Sequence, residues 1–348
     1  MAGIAPEMLR LKVGAYSRGG ASGLHTLVRD ANGWRLDGVY QGARDASFGA
    51  QSAKFGQFYL VDEQHNGTLG VFREVDGQCE RLALELTRGA APCHVALSRC
   101  ERWAAVANYG SGSVALFQLA PEDGLPMGPA AVLEHQGRGP DPERQNGPHA
   151  HCTAFAPDGR WLYHTDLGAD LVLATRFDPD RGPFETAPVF EARPGSGPRH
   201  LLLIPDQPLA LLLCELASTL TLLRRNGGAF EAIQTLSTLP VDFEGESLGG
   251  HLTINAAADR IYVSNRGHDS IAVFDLNAGG ELKLRQHIAS GGASPRHCLL
   301  IEAQRLLLVA HERDGRITAF SVDEEGGLST LGQVAEVPGA AFLLREQE

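Results

Sequence analysis

The sequence predicts an all-β fold, a seven-bladed β-propeller whose ring closes by pairing a C-terminal strand with N-terminal strands. Three observations carry that prediction. Units start near residues 47, 92, 149, 198, 249 and 295, with spacings of 45 to 57 residues, and periods of about 40–50 with three or four strands per unit mark propellers. Within each unit the apolar runs span 4–8 residues, are rich in Leu, Val and Ile, and end at turn residues, which is the pattern of strands. No long segment with a 3.6-residue apolar period competes with it.

Each unit opens with Pro-x-His or a variant, runs through an apolar strand and a turn, returns in a second strand ending on a polar residue, then turns again into a third. The clearest copies are PCHVALSRCERWAAVANYGSGSVALF from Pro92, HAHCTAFAPDGRWLYHTDLGADLVLA from His149 and PRHLLLIPDQPLALLLCELASTLTLL from Pro198. GGHLTINAAADRIYVSNRGHDSIAVF from Gly249 and PRHCLLIEAQRLLLVAHERDGRITAF from Pro295 follow, and SFGAQSAKFGQFYLVDEQHNGTLGVF from Ser47 is a degenerate copy. The seventh unit is split between the ends. Residues 338–348 offer one inner strand, and KVGAYS, SGLHTLVRD and WRLDGVYQG within residues 10–42 offer the rest. Pairing them closes the ring and removes its open edges. Residues 1–348 therefore read as a single propeller domain. Two insertions, residues 120–148 and 238–250, lie inside repeats, where long ordered loops are often functional.

The totals narrow the function. With 30 Lys and Arg against 42 Asp and Glu the net charge is -12, so binding to nucleic acid or an anionic membrane, which needs a basic face, is not expected. No run of 18 apolar residues suggests a membrane span, and MAGIAPEMLRLKVGAYS lacks the apolar core of a signal peptide. Six cysteines without CxxC spacing read as reduced, mostly buried residues of a cytoplasmic protein. The expected state is a monomer or weak homo-oligomer.

Hairpin geometry singles out candidate residues, because the start of one strand lies beside the end of its antiparallel partner. His94 and Asn108, His251 and Asn265, and His297 and His311 are 14 apart; His151 and Asp166, and His200 and Glu215, are 15 apart. Each pair is expected at one rim, with a first column reading Gly49, His94, His151, His200, His251, His297 and Ala340. Arg199, Arg296 and Arg266 stand beside these positions, and His149 shares strand parity with His151. A His- and Arg-rich mouth within an acidic protein suits a small anionic substrate. Asp158-Gly159 reads only as a hairpin turn, and Tyr109 and Trp161 read as packing. His-x-His near an acid can bind zinc, but the reading assigns no required metal and no cofactor. No GxSxG supports a serine nucleophile.

PHAH…PDGRWLYHTDLGAD, LPVDFEGES and YVSNRGHDSIAVF resemble the bacterial 6-phosphogluconolactonase family of seven-bladed propellers, which also includes fungal carboxymuconate cyclases. The likeness covers residues 10–343. It implies a cytoplasmic enzyme that hydrolyses 6-phosphogluconolactone to 6-phosphogluconate, or a cyclase acting on a related lactone. The positions that match the site proposed for the cyclases are His149, Arg199, Glu215 and Arg266. The family usually has an acid where His251 stands, Asn where Cys214 stands and Pro-Ser-Phe where Ala46-Ser47-Phe48 stands.

The expected chemistry is lactone hydrolysis. His149 or His151, oriented by Asp166 or Glu215, activates water. Arg199, Arg266 and Arg296 hold the anion, and His94, His200, His251, His297, Asn108 and Asn265 complete the binding wall. A lactonising enzyme on a carboxylated diene acid and a non-enzymatic binding platform are the rival expectations.

Overall fold

Inner strands begin at Gly49, Pro92, Ala150, Pro198, Leu248, Pro295 and Ala340, and each is the first of four antiparallel strands that step outward from a common axis. The computed structural model describes residues 8–346. The first seven residues, part of the stretch read for a signal peptide, and the last two of 338–348 lie outside the described residues. Among the described residues there are seven such sheets, here blades 1 to 7 in the order just given. The last inner strand, Ala340–Arg345, pairs antiparallel with Leu9–Ala15, so blade 7 joins the C-terminal strand to the three N-terminal ones. The ring is closed as expected.

The core is a ring of seven interfaces rather than one centre. Each apolar cluster is shared by two adjacent blades. Period-two alternation produces this. In the strand Trp103–Asn108, Ala104 and Val106 pack toward blade 1 while Ala105 and Ala107 pack toward blade 3. Such strands are buried on both faces and read as continuous apolar runs. The outermost strands alternate exposed and part-buried residues, as in Gln78–Leu86.

One irregularity recurs. In blades 2, 3, 4, 6 and 7 the inner strand carries one extra residue after its first or second position: Pro92 pairs with Asn108 but His94 with Ala107, and Pro198 pairs with Cys214 but His200 with Leu213. Blade 5 shifts at the same place, between Gly249 and Leu252. A bulge of this kind re-aims side chains that strict alternation would send to opposite faces.

Blade 7 depends on the packing of its late strand. Phe342 is 2% exposed and its ring lies 5.1 Å from Phe48 and 4.9 Å from His297. Phe342→Ala should lower the unfolding free energy by about 3–5 kcal/mol, as for other buried Phe truncations. Urea denaturation checks this, and a loss under about 1 kcal/mol would show that this strand is not part of the cooperative ring.

Candidate functional site

The bulges set two levels of side chains around the axis. At the lower level each blade contributes one residue: Phe48, His94, Cys152, His200, His251, His297 and Phe342, by register and by contact. Their rings meet in the channel. Phe48 stacks on His94 at 4.2 Å, His200 lies 5.8 Å from His94 and 5.1 Å from His251, and His251 lies 4.0 Å from His297. The expected column of Gly49, His94, His151, His200, His251, His297 and Ala340 is thus corrected at three positions. Blade 3 begins with Ala150 where its neighbours have Pro, so matching His to His slipped the register by one, and Cys152 holds the place given to His151. Gly49 and Ala340 yield to the aromatic residues Phe48, one residue earlier, and Phe342, two later, because neither strand carries a His to set the register.

One step toward the mouth stand Cys93, His151, Arg199 and Arg296, with Tyr16, Glu63, Tyr109, Leu167, Glu215 and Glu312, which follow their second strands, and Arg266, which ends its own. Backbone bonds set that upper ring, for example Tyr109 N–H to Ala91 O, Glu215 N–H to Gly197 O and Glu312 N–H to Ser294 O. Glu215 is its centre. One carboxylate oxygen accepts from Arg144 at 2.5 Å, and the other from Arg199 at 2.5 Å and Arg266 at 2.8 Å. Burial alone would raise this carboxyl, yet Arg266, Arg199 and Arg144 hold it well below the usual range, so it is a fixed anion. The Arg199 guanidinium also donates to His151 Nε2, and its Nε donates to Gly250 O at 2.5 Å. Burial and Arg199 push the His151 imidazole well below its ordinary value, so it is neutral.

Arg144 comes from the long insertion. An Asx turn presents it: Asp141 Oδ1 accepts from the N–H groups of Glu143 and Arg144 at 2.9 and 3.0 Å. Buried Gln145 ties the loop down through its side-chain donation to Leu167 O at 2.9 Å. Arg144 reaches Tyr109 Oη at 3.3 Å, and the Tyr109 ring stacks on His149 at 4.5 Å. His149 Nδ1–H donates to Tyr109 O at 2.8 Å. That fixes the tautomer and leaves Nε2 as the basic nitrogen. His151 meets the same Tyr109 edge-on at 5.7 Å, so both histidines of the motif share one wall.

Across the mouth, Arg296 pairs with Glu312 at 3.2 Å and lies 3.8 Å from Glu63, which accepts from Tyr16 Oη at 2.6 Å. Arg18 closes this second cluster on Glu312 at 2.8 Å.

The remaining candidates lie elsewhere. Asp166 is fully buried; it accepts from the His149, Gly168 and Ala169 N–H groups and pairs with His135, so it shapes the backbone under His149 rather than facing substrate. Asn108 bonds Ser113, and Asn265 bonds Thr238 and Ser270; both are buried ties between strands, because the bulge places them opposite Pro92 and Gly249 rather than beside a histidine. His94, His200, His251 and His297 line the channel below the mouth. Tyr16, Glu63, Arg144 and Glu312 were not singled out, and Tyr109, read only as packing, stands in the mouth against Arg144 and His149. Tyr16, Glu63, Tyr109 and Glu312 occupy the ring position that Arg266 holds in its blade, and Arg144 lies in the insertion already marked.

With this geometry in view, relatives are informative. The sequence pattern described as "Lactonase, 7-bladed beta-propeller" matches residues 10–344. The chain belongs to this lactonase family. A 6-phosphogluconolactonase of Bacillus subtilis is 30% identical over 92% of this chain and 93% of its own. The periplasmic gluconolactonase PpgL of Pseudomonas aeruginosa has a TM-score of 0.89 at 27% identity, covering 98% of this chain and 99% of that one. A Lactobacillus plantarum protein has a TM-score of 0.88 at 27% identity, covering 98% and 100%. This lactonase is therefore a lactone-hydrolysing enzyme. No helix among its described residues is long and apolar enough to cross a membrane.

Buried imidazoles make the lactonase acid-sensitive. Burial pushes His164 and His297 down to about 3, and neighbouring His135 and Arg296 add to the shift. Their folded values lie below the ordinary 6.5. The stability they contribute is therefore complete above that value and falls as the pH drops from it toward about 3. Asp62, raised to about 6 by burial and Asp45, runs the other way and offsets part of the loss. By linkage each such imidazole should account for about 1.4 kcal/mol of lost stability at a pH one unit below 6.5. His164→Leu should remove about that much of the wild-type difference between the urea unfolding free energies at about pH 7.5 and 5.5; an unchanged difference would contradict the burial argument.

Proposed function

We propose that this lactonase opens 6-phosphogluconolactone to 6-phosphogluconate, with His149 as the general base and the Arg199–Glu215–Arg266 cluster as the anion-stabilising wall. The observation that carries this reading is the His149 tautomer. Its Nδ1–H is committed to the Tyr109 carbonyl, so Nε2 offers a lone pair on the wall that also holds Arg144.

Nε2 takes a proton from water as its oxygen attacks the lactone carbonyl carbon. The carbonyl oxygen becomes an oxyanion beside the guanidinium groups, which are already oriented by Glu215 and lose little by reorganising. When the ring C–O bond breaks, the imidazolium returns its proton to the departing ring oxygen, giving the hydroxy acid, which releases its own proton to solvent. Glu215 is too strongly held as an anion, by three guanidinium groups, to serve as the base. It positions Arg144, Arg199 and Arg266. Arg296, on the far side of the mouth, is the group best placed for a second anionic substituent, such as a phosphate. Six unpaired cysteines support a reducing, cytoplasmic setting.

Single substitutions test the assignment, with spontaneous hydrolysis subtracted. His149→Ala should lower kcat by about 10²–10⁴-fold and Arg199→Met by about 10²–10³-fold. The Arg296→Met variant should raise KM for the phosphorylated lactone more than for gluconolactone itself. Wild-type rates in both His149→Ala and Arg199→Met would sink the mechanism, and equal kcat/KM on the two lactones would sink the substrate.

A further inference from the structure

We infer that the channel beneath the mouth holds a metal site, in which Cys152 with His94 and His200 binds a borderline-soft divalent cation of the zinc type. The three residues come from consecutive blades at one level of the channel. Their ligand atoms all lie within 4.8 Å of one another, and all three side chains are buried.

Two of the three are already at ligand spacing. His94 Nε2 and Cys152 Sγ are 3.5 Å apart. Two such atoms on one tetrahedral zinc, at metal distances of about 2.1 and 2.3 Å, are about 3.5 Å apart. The His200 ring needs to close by only about 1 Å to complete the same geometry. His200 turns into the same space: it is 7% exposed, and its ring lies among those of Phe48, His94, His151 and His251. On the outer side, His94 Nδ1 accepts from the Thr153 N–H at 3.3 Å, and Thr153 Oγ1, 3.4 Å from the same nitrogen, donates its own hydrogen to Ala105 O at 3.0 Å. Loading moves the ring proton from Nε2 to Nδ1, where Thr153 Oγ1 accepts it in place of the N–H contact and orients the ring.

The donor set selects the ion. A thiolate and two imidazoles suit zinc and its neighbours, and not magnesium or calcium, which take oxygen ligands. Loading releases the thiol proton. With three protein ligands, one coordination position stays open to solvent. Because the ligands belong to blades 2, 3 and 4, the ion ties three blades together at the axis. The site is separate from the lactone-opening residues: neither His149 nor Glu215 is a ligand, and the His-x-His pair diverges to Tyr109 and Arg199. The inference therefore stands or falls independently of the proposed reaction.

Cobalt(II) is the probe, since its thiolate complexes absorb in the near ultraviolet. Chelator-stripped full-length protein should take up one equivalent with a thiolate charge-transfer band, zinc should displace it, and zinc should raise Tm. Cys152→Ser should abolish the band, and His200→Ala should weaken uptake at least tenfold. Cys93→Ser, which removes another buried thiol of the same channel wall, should leave both unchanged. Absence of stoichiometric uptake by the wild type overturns the inference whatever the variants do. A band that survives Cys152→Ser, or that Cys93→Ser removes, overturns it as well.

Discussion

The extra residue near the start of the inner strands is the constraint on which the site depends. In a regular strand, neighbours such as Arg199 and His200 would face opposite sides. With the bulge, Arg199 reaches Glu215 and His151 at the mouth while His200 meets His94 and His251 in the channel. The same device acts on Arg296-His297 and His151-Cys152. Pro at the first position of three of these strands suits it, since Pro has no N–H to give to the ladder where pairing is interrupted. One backbone irregularity, repeated, thus stacks a polar mouth on a plugged channel.

The mouth reverses the charge of the protein that carries it. Five guanidinium groups, on Arg18, Arg144, Arg199, Arg266 and Arg296, face three carboxylates, on Glu63, Glu215 and Glu312. The excess is positive, in a chain of net charge -12. Such a local positive field at the axis favours the approach of a small anion. Buried guanidiniums without a counter-charge would be unstable; burial indeed pulls Arg266 down to about 10 despite Glu215. Glu215 holds three of them at once. In the proposed reaction this arrangement stabilises the anion and leaves the base to His149.

Repeat spacing and strand-length apolar runs were enough to read seven blades and ring closure, because every blade repeats one burial pattern and the split blade completes it. The site was legible in part. Arg199, Glu215, Arg266, His149 and His151 converge on the mouth. Pairing by residue count, however, could not register a bulge, which leaves no composition signal of its own. That is why His151 was given the channel place that Cys152 holds, and why Asn108 and Asn265 were read as wall residues although they tie strands together. Arg144 depends on a turn within an insertion that has no counterpart in the other blades.

The most direct test of the account is a structure of the enzyme with 6-phosphogluconate bound. The account predicts the C1 carboxylate against Arg199 and Arg266, with C1 within reach of a water held by His149 Nε2, and the phosphate toward Arg296. Product bound on the opposite face of the ring, or at the mouth with C1 remote from His149, would contradict it.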